Sequence, residues 1–201
     1  MRTVDPEANE SRRRAILDAA ARCFAAAGFR ATRTAEICAA AGMSAGNMFH
    51  YFPTKHAVLC ALVEREGEQA DVWLEELRSA ADPFLALTAF LATICELAAD
   101  PMVAGLALES SAIAHRDEVV AELLRANDAA LRDGVADLVA RARDAGQISA
   151  PMSAESAATW IAALVDGVFA RRAVQPEFRP ADEAQALLTI VSRVLGRTET
   201  R

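Results

Sequence analysis

Asn47, His50 and Tyr51 carry hydrogen-bonding side chains spaced by three and four residues, directly behind Gly42 and Ser44. On an α-helix that spacing gathers them on one side. Side chains held this way can meet donors and acceptors on base edges, while neighbouring hydroxyls and cations meet phosphate oxygens. Thr34 stands before the group, and Lys55, the lone lysine of the chain, stands behind it. Arg33, Ser44 and Ala45 border the same surface.

Other chemistry finds no support in the residue spacing. No Gly-rich phosphate loop or H-E-x-x-H segment is present, and Ser110 and Ser111 lack the flanking glycines of a nucleophile elbow. His50 and His56 miss the i, i+4 spacing of a helical metal pair, with Pro53 between them. Cys23, Cys38, Cys60 and Cys95 form no Cys-x-x-Cys and read as small core residues, not as zinc ligands or a disulfide. A redox-sensing cysteine stays open as an alternative. The expectation is therefore no enzyme, no metal and no cofactor.

The polar group needs an element to carry it. Thr32 to Lys55 reads as a short helix, a glycine turn and a second short helix ending at Phe52-Pro53. Ile37, Ala40 and Ala41 give the first helix an apolar face, with Thr32 or Thr34 as its cap. Gly42 supplies the turn, Ser44 caps the second helix, and Met48, Phe49 and Phe52 are available to anchor it. Two helices across a tight turn, the second polar outside, form a helix-turn-helix reader of the DNA major groove. A helix from about Asn9 or Glu10 to Ala27 precedes the pair, behind an arm at residues 1–8 whose Arg2 could reach phosphate. After the pair, Thr54 caps a helix to about Arg78, and Lys55 at its start is expected as an exposed, phosphate-facing cation.

Charge divides along the same line. The chain has net charge −7, yet residues 1–55 hold eight Arg/Lys against five Asp/Glu. Residues 56–201 hold thirteen against twenty-three. A basic end on an acidic body suits a protein of which one end approaches phosphate. Abundant alanine, leucine, glutamate and arginine predict an all-α fold. The longest uncharged stretch of the apolar segment, Pro83–Cys95, falls short of the ~20 residues that span a bilayer. With no apolar leader segment at the start, a cytoplasmic location is expected.

The second half predicts further helices: 83–99 after Asp82, 101–113 after Asp100, 117–145, 153–174 and 181–195. Trp160, Leu164 and Val168 lie on one side of the 153–174 helix, with Ile161, Val165 and Phe169 beside them. Leu187, Ile190, Val191 and Val194 broaden the last helix likewise. Faces this wide suit pairing with their copies across a two-fold axis.

The run R-x-x-I-L-x-A-A-x-x-x-F-x-x-x-G-F-x-x-T from Arg13 to Thr32 resembles the opening of TetR-family regulators. The resemblance continues through E-I-C-A-A-A-G-M-S-A-G-N-M-F-H-Y-F-P-T-K, Glu36 to Lys55. It implies a three-helix DNA-binding domain at 9–55 and a helical ligand-binding and dimerisation domain at 56–201. It further implies a homodimeric repressor released from a pseudo-palindromic operator in double-stranded DNA by a small-molecule inducer. Asn47 and His50 would meet bases; Thr34, Tyr51 and Lys55 would meet phosphates. Two departures, Ala45 for a basic or polar residue and Phe49 for a tyrosine, remove contacts. Expected pocket walls are Phe84, Leu87, Leu91, Met102, Leu106 and Trp160. Asn127, Glu109 and Cys95 are the expected polar contacts, although Asn127 could instead bond between helices and Glu109 could face solvent or an ion partner. A DNA-architectural protein without inducer is the other reading.

Overall fold

Cap chemistry sets most of the element boundaries. The structure is a computed structural model and describes residues 6–197. Among these residues the helices are α1 (Pro6–Ala27), α2 (Thr34–Ala40), α3 (Ala45–Tyr51), α4 (Lys55–Arg78), α5 (Pro83–Ala99), α6 (Pro101–Ala114), α7 (Glu118–Asp144), α8 (Ala154–Val174) and α9 (Pro180–Val194). From α3 through α8 each helix starts on a side chain that accepts a bond from a free N–H: Ser44, Thr54, Asp82, Asp100, Asp117 and Ser153. Asp100 ends α5 and starts α6, and the pair bends by 92° there. No single helix among the described residues is long and apolar enough to cross a membrane.

Three boundary details differ from the sequence reading. Residues 1–5, Arg2 among them, lie outside the described residues, but α1 already includes residues 6–8, which were expected in the arm. Neither threonine caps α2. The cap residue is Arg33, whose N–H donates to Glu36 Oε2 at 2.8 Å. Thr32 is instead buried and donates its hydroxyl to the Gly28 and Cys23 carbonyls, closing the end of α1. Gly42 does take the left-handed turn conformation, at φ 65°.

The buried apolar side chains form two clusters. One joins Ile16, Leu17 and Phe24 of α1 to Ile37, Met48 and Phe52 of the helix pair and to Val58, Leu59 and Leu62 of α4. Leu106 of α6 and Val120 of α7 complete it. The other joins Leu74 and Leu77 of α4 to Leu87, Phe90 and Leu91 of α5, Leu138 of α7, Ile161 and Val165 of α8, and Leu187 and Val191 of α9. Helix α4 thus enters both, with its middle outside either.

Phe90 anchors the second cluster, 1% exposed and 4.9 Å from the Trp73 ring. Phe90→Ala is expected to cost about 3–5 kcal/mol, through lost transfer energy and an unfilled cavity. Chemical denaturation with an unchanged m-value is the check.

Candidate functional site

The outer surface of α3 is the polar face that the sequence promised, with changes. Ala45 and His50 are exposed, and Asn47 and Tyr51 are half-buried. The His50 and Tyr51 rings meet edge-on at 5.3 Å. Met48 and Phe52 are buried anchors, but Phe49 is not: it is 48% exposed on the reading side. Helical geometry explains this, because Phe49 lies about 100° round from Met48. Ser44 spends its hydroxyl oxygen on the Asn47 N–H at 3.3 Å. Arg33 holds its guanidinium against Glu36 at 2.8 Å and stays exposed, and Thr34 opens α2 half-buried. The Arg33 N–H and guanidinium, in that order, keep the Glu36 carboxyl below its usual range. Gly46 was missed as a surface feature. A Cβ there would meet nothing within 4 Å, so the backbone of α3 is open to close approach.

Lys55 is the largest correction to this surface. Its ammonium does not point outward. It donates to the carbonyls of Phe29 at 2.5 Å, Thr32 at 2.6 Å and Arg30 at 3.5 Å, and lies 4.5 Å from the Phe29 ring centre. An ammonium has three N–H donors. With carbonyls drawing on all of them, Lys55 pins the α1–α2 connection to the start of α4.

The same connection is gripped from the second half of the chain. Phe29 N–H donates to Glu109 Oε1 of α6 at 2.6 Å. His56 Nε2 lies 2.7 Å from Asp117 Oδ2, and the other Asp117 oxygen caps α7 by accepting from Val120 N–H. Those contacts, the Val120 bond first, keep the Asp117 carboxyl below its usual range. Cys60 lies beside His56, with Sγ 3.6 Å from Nδ1, but burial and then Asp117 push its thiol up. Burial does the same to Cys23 and Cys95. Raised thiol pKa values lower the thiolate fraction that oxidation requires.

The expected ligand residues do not converge. Phe84, Leu87, Leu91 and Cys95 are packed inside the second core, and Leu106 lies in the first. Glu109 is taken by Phe29. Asn127 bonds between helices, its amide donating to the Val63 carbonyl at 3.0 Å. Met102 lies at the surface, and Trp160 is 63% exposed. Trp160 lines an apolar recess of about 270 Å³ with Leu164, Ile190 and Val194.

An acidic residue that sequence reading passed over stands where those candidates do not. On a wheel of about 100° per residue, Glu66 falls within about 20° of both Leu59 and Leu77, at the centre of the buried stripe of α4. Yet it is exposed. Residues 63–73 of α4 supply no fully buried member to either core, although Trp73 packs against the second. The stripe of α7 opens there as well: Leu123, Leu124, Asn127 and Leu131 are half-buried, between buried Val120 and Val135. Desolvation pushes the Glu66 carboxyl up to about 7, opposed by Arg65, whose Nη1 pairs with Asp18 of α1 at 2.7 Å. The signal available in the sequence was a glutamate at a core register position.

The expected dimer residues also divide. Ile161, Val165, Val168, Leu187 and Val191 are buried in the core of their own chain, a correction to their expected place at an interface. Leu164 and Phe169 are half-buried against that core, and Ile190 and Val194 are exposed. The outward stripe of α8 is Trp160, Ala163, Gly167, Ala170 and Val174, mostly small residues that broad hydrophobicity did not reveal.

Comparison with known proteins agrees with this arrangement. Residues 16–62 match the model of bacterial regulatory proteins, tetR family, and residues 85–196 match that of the BetI-type transcriptional repressor C-terminal domain. The transcriptional regulator UidR of Escherichia coli is 26% identical over 97% of this chain and 98% of its own. RutR of E. coli is 35% identical over 39% of this chain; the chain spans just 36% of RutR's length. Among solved structures, GusR of Salmonella enterica superposes with a TM-score of 0.76 at 26% identity, covering 97% and 99% of the two chains. SmeT, the repressor of a Stenotrophomonas maltophilia multidrug efflux pump, gives 0.77 at 26% identity over 93% and 91%. SmeT is also known in complex with triclosan, with a TM-score of 0.78.

Two outcomes follow for the residues newly placed. Lys55→Met should weaken DNA binding by loosening the α1–α2 connection while leaving the salt slope of log K unchanged; a slope smaller by about 0.9 would restore a phosphate contact. Glu66→Gln should raise the melting temperature at pH 8, and by less at pH 5. A carboxyl raised in the folded state contributes its stability below the unfolded pKa, and that contribution is lost as pH rises through about 7.

Proposed function

Because the chain belongs to the TetR family of bacterial regulatory proteins, we propose that it is a homodimeric repressor released from a pseudo-palindromic operator by a small molecule. The ligand is taken by the helices of the second half of the chain. The observation that carries this reading is that α4 is packed in both cores, its first turns with the reading head and its last turns with the second half of the chain. A ligand that fits one tilt of α4 better than another shifts the population of head positions, which is coupling by differential affinity. The match to a BetI-type repressor C-terminal domain supports the repressor sense, and the ligand complex of the related SmeT supports small-molecule response.

On DNA, Asn47 and His50 reach base edges from α3, and the exposed Phe49 ring can lie against thymine methyl groups. Thr34, Tyr51 and Arg33 flank them toward phosphate. Ala45 and Gly46 let the start of α3 sit close to the groove floor. The α8 stripe through Trp160 and Gly167, with Ile190 and Val194 of α9, pairs with its copy and spaces the two heads about one helical turn apart. The redox alternative has less support, because burial raises the thiols of Cys23, Cys60 and Cys95.

Sequencing of genomic fragments captured by the purified protein tests the reading. The expected yield is a shared inverted repeat with half-sites about one turn apart; fragments with no common repeat would favour an architectural role. On the recovered site, Asn47→Ala should cost about 1–3 kcal/mol and relax preference at one base position of each half-site, measured by fluorescence anisotropy on single-base variants.

A further inference from the structure

We propose that Arg13 of α1 binds a phosphate of the DNA backbone, as the cation that serves the C-terminal end of the reading helix. The assignment rests on the DNA-binding reading and adds a contact to that same surface.

Arg13 occupies an inward position. It lies three and four residues before Ile16 and Leu17, so on α1 it continues the buried stripe that runs on through Ala20 and Phe24. Its neighbours Arg12 and Arg14 are exposed, whereas Arg13 is half-buried. Its guanidinium carbon stands 4.8 Å from the centre of the Phe52 ring. Phe52 caps the C-terminus of α3, directly after Tyr51, and is 3% exposed. Helix α1 thus delivers a guanidinium to the end of the reading helix.

Other cations of the first 55 residues are paired elsewhere or held by less. Lys55, which the sequence placed at this end of α3, gives its donors to the carbonyls of the α1–α2 connection. Arg33 pairs with Glu36 at 2.8 Å, and Arg14 with Glu10 at 3.9 Å. Arg12, Arg22 and Arg30 are exposed. Arg13 is held in place and yet unpaired, because among the described residues no carboxylate closes on it. An aromatic ring positions a guanidinium without cancelling its charge, and the planar fork of donors suits a phosphate. Partial burial against the ring thins the water around that charge, which strengthens its attraction for an anion.

The place of Arg13 selects the anion. A recognition helix in the major groove meets base edges with its N-terminal residues. Its C-terminal end is then left to the backbone, where phosphate oxygens are the acceptors. A guanidinium that did no more than cover Phe52 could be replaced by an apolar stem of similar length without changing how binding responds to salt.

That difference is the test. Affinities of wild type, Arg13→Met, Arg13→Lys and Arg12→Met are measured by fluorescence anisotropy on the recovered operator and on a scrambled duplex, over roughly 50 to 200 mM salt. Arg13→Met should weaken binding to both duplexes by the same factor and lower the slope of log K against log salt by about 0.9 for each head that loses its phosphate. Arg13→Lys keeps the charge and should keep the slope, and Arg12→Met should stay close to wild type. Arg13→Gln is the second neutral variant, should Arg13→Met fail to fold. A slope unmoved in the neutral variant, or an equal change in Arg12→Met, would overturn the assignment and leave the DNA-binding reading standing. Wild-type protein that binds neither duplex would overturn that reading, and the assignment with it.

Discussion

One helix belongs to two cores, and the rest of the molecule is arranged around that fact. The first turns of α4 are locked among α1, α2 and α3 by Val58, Leu59 and Leu62, and its last turns among α5, α7, α8 and α9 by Leu74 and Leu77. Close packing at both ends means that a tilt of α4 cannot be absorbed locally. It must move the reading head, the body, or both. Between the two grips the helix carries the exposed Glu66.

The junction between head and body is built from backbone hydrogen bonds to charged side chains as well as from apolar contact. Phe29 is the meeting point: its N–H goes to Glu109 of α6 and its carbonyl to Lys55 of α4. Hydrogen bonds to charged groups are stronger than neutral ones and depend closely on geometry. His56 and Asp117 add a second tie between the start of α4 and the start of α7. Leu106 and Val120, from the second half of the chain, complete the core of the first. The head is thus seated on α6 and α7, and it does not hang from a linker.

Charge is distributed to match. The acidic body keeps nonspecific attraction to DNA low, while the basic excess lies within the first 55 residues. Arg33 is held exposed by Glu36, so that part of the excess is oriented as well as present. The reading surface itself is sparsely polar. Ala45, Gly46 and Phe49 stand where longer polar groups could have been.

What the sequence determined by itself was everything encoded within a few residues of one another. The helices after α2 follow from caps such as Ser44, Asp82-Pro83 and Asp100-Pro101, and the helix-turn-helix from Gly42 and the order of residues around it. The family was legible in the same local run. Tertiary structure decided which partner each polar side chain found. Lys55 looked like a phosphate ligand because a cation at a helix start is locally unfavourable; the carbonyls that explain it lie more than twenty residues away. Glu109 and Asn127 were open to pocket or structural roles until the loop and helix facing them were in place. Glu66 was hidden in the opposite way. Periodicity assigns a position to the inside of a bundle, but it cannot say whether the inside is filled at that level. That depends on the side chains that other helices bring, and here they leave Glu66 exposed.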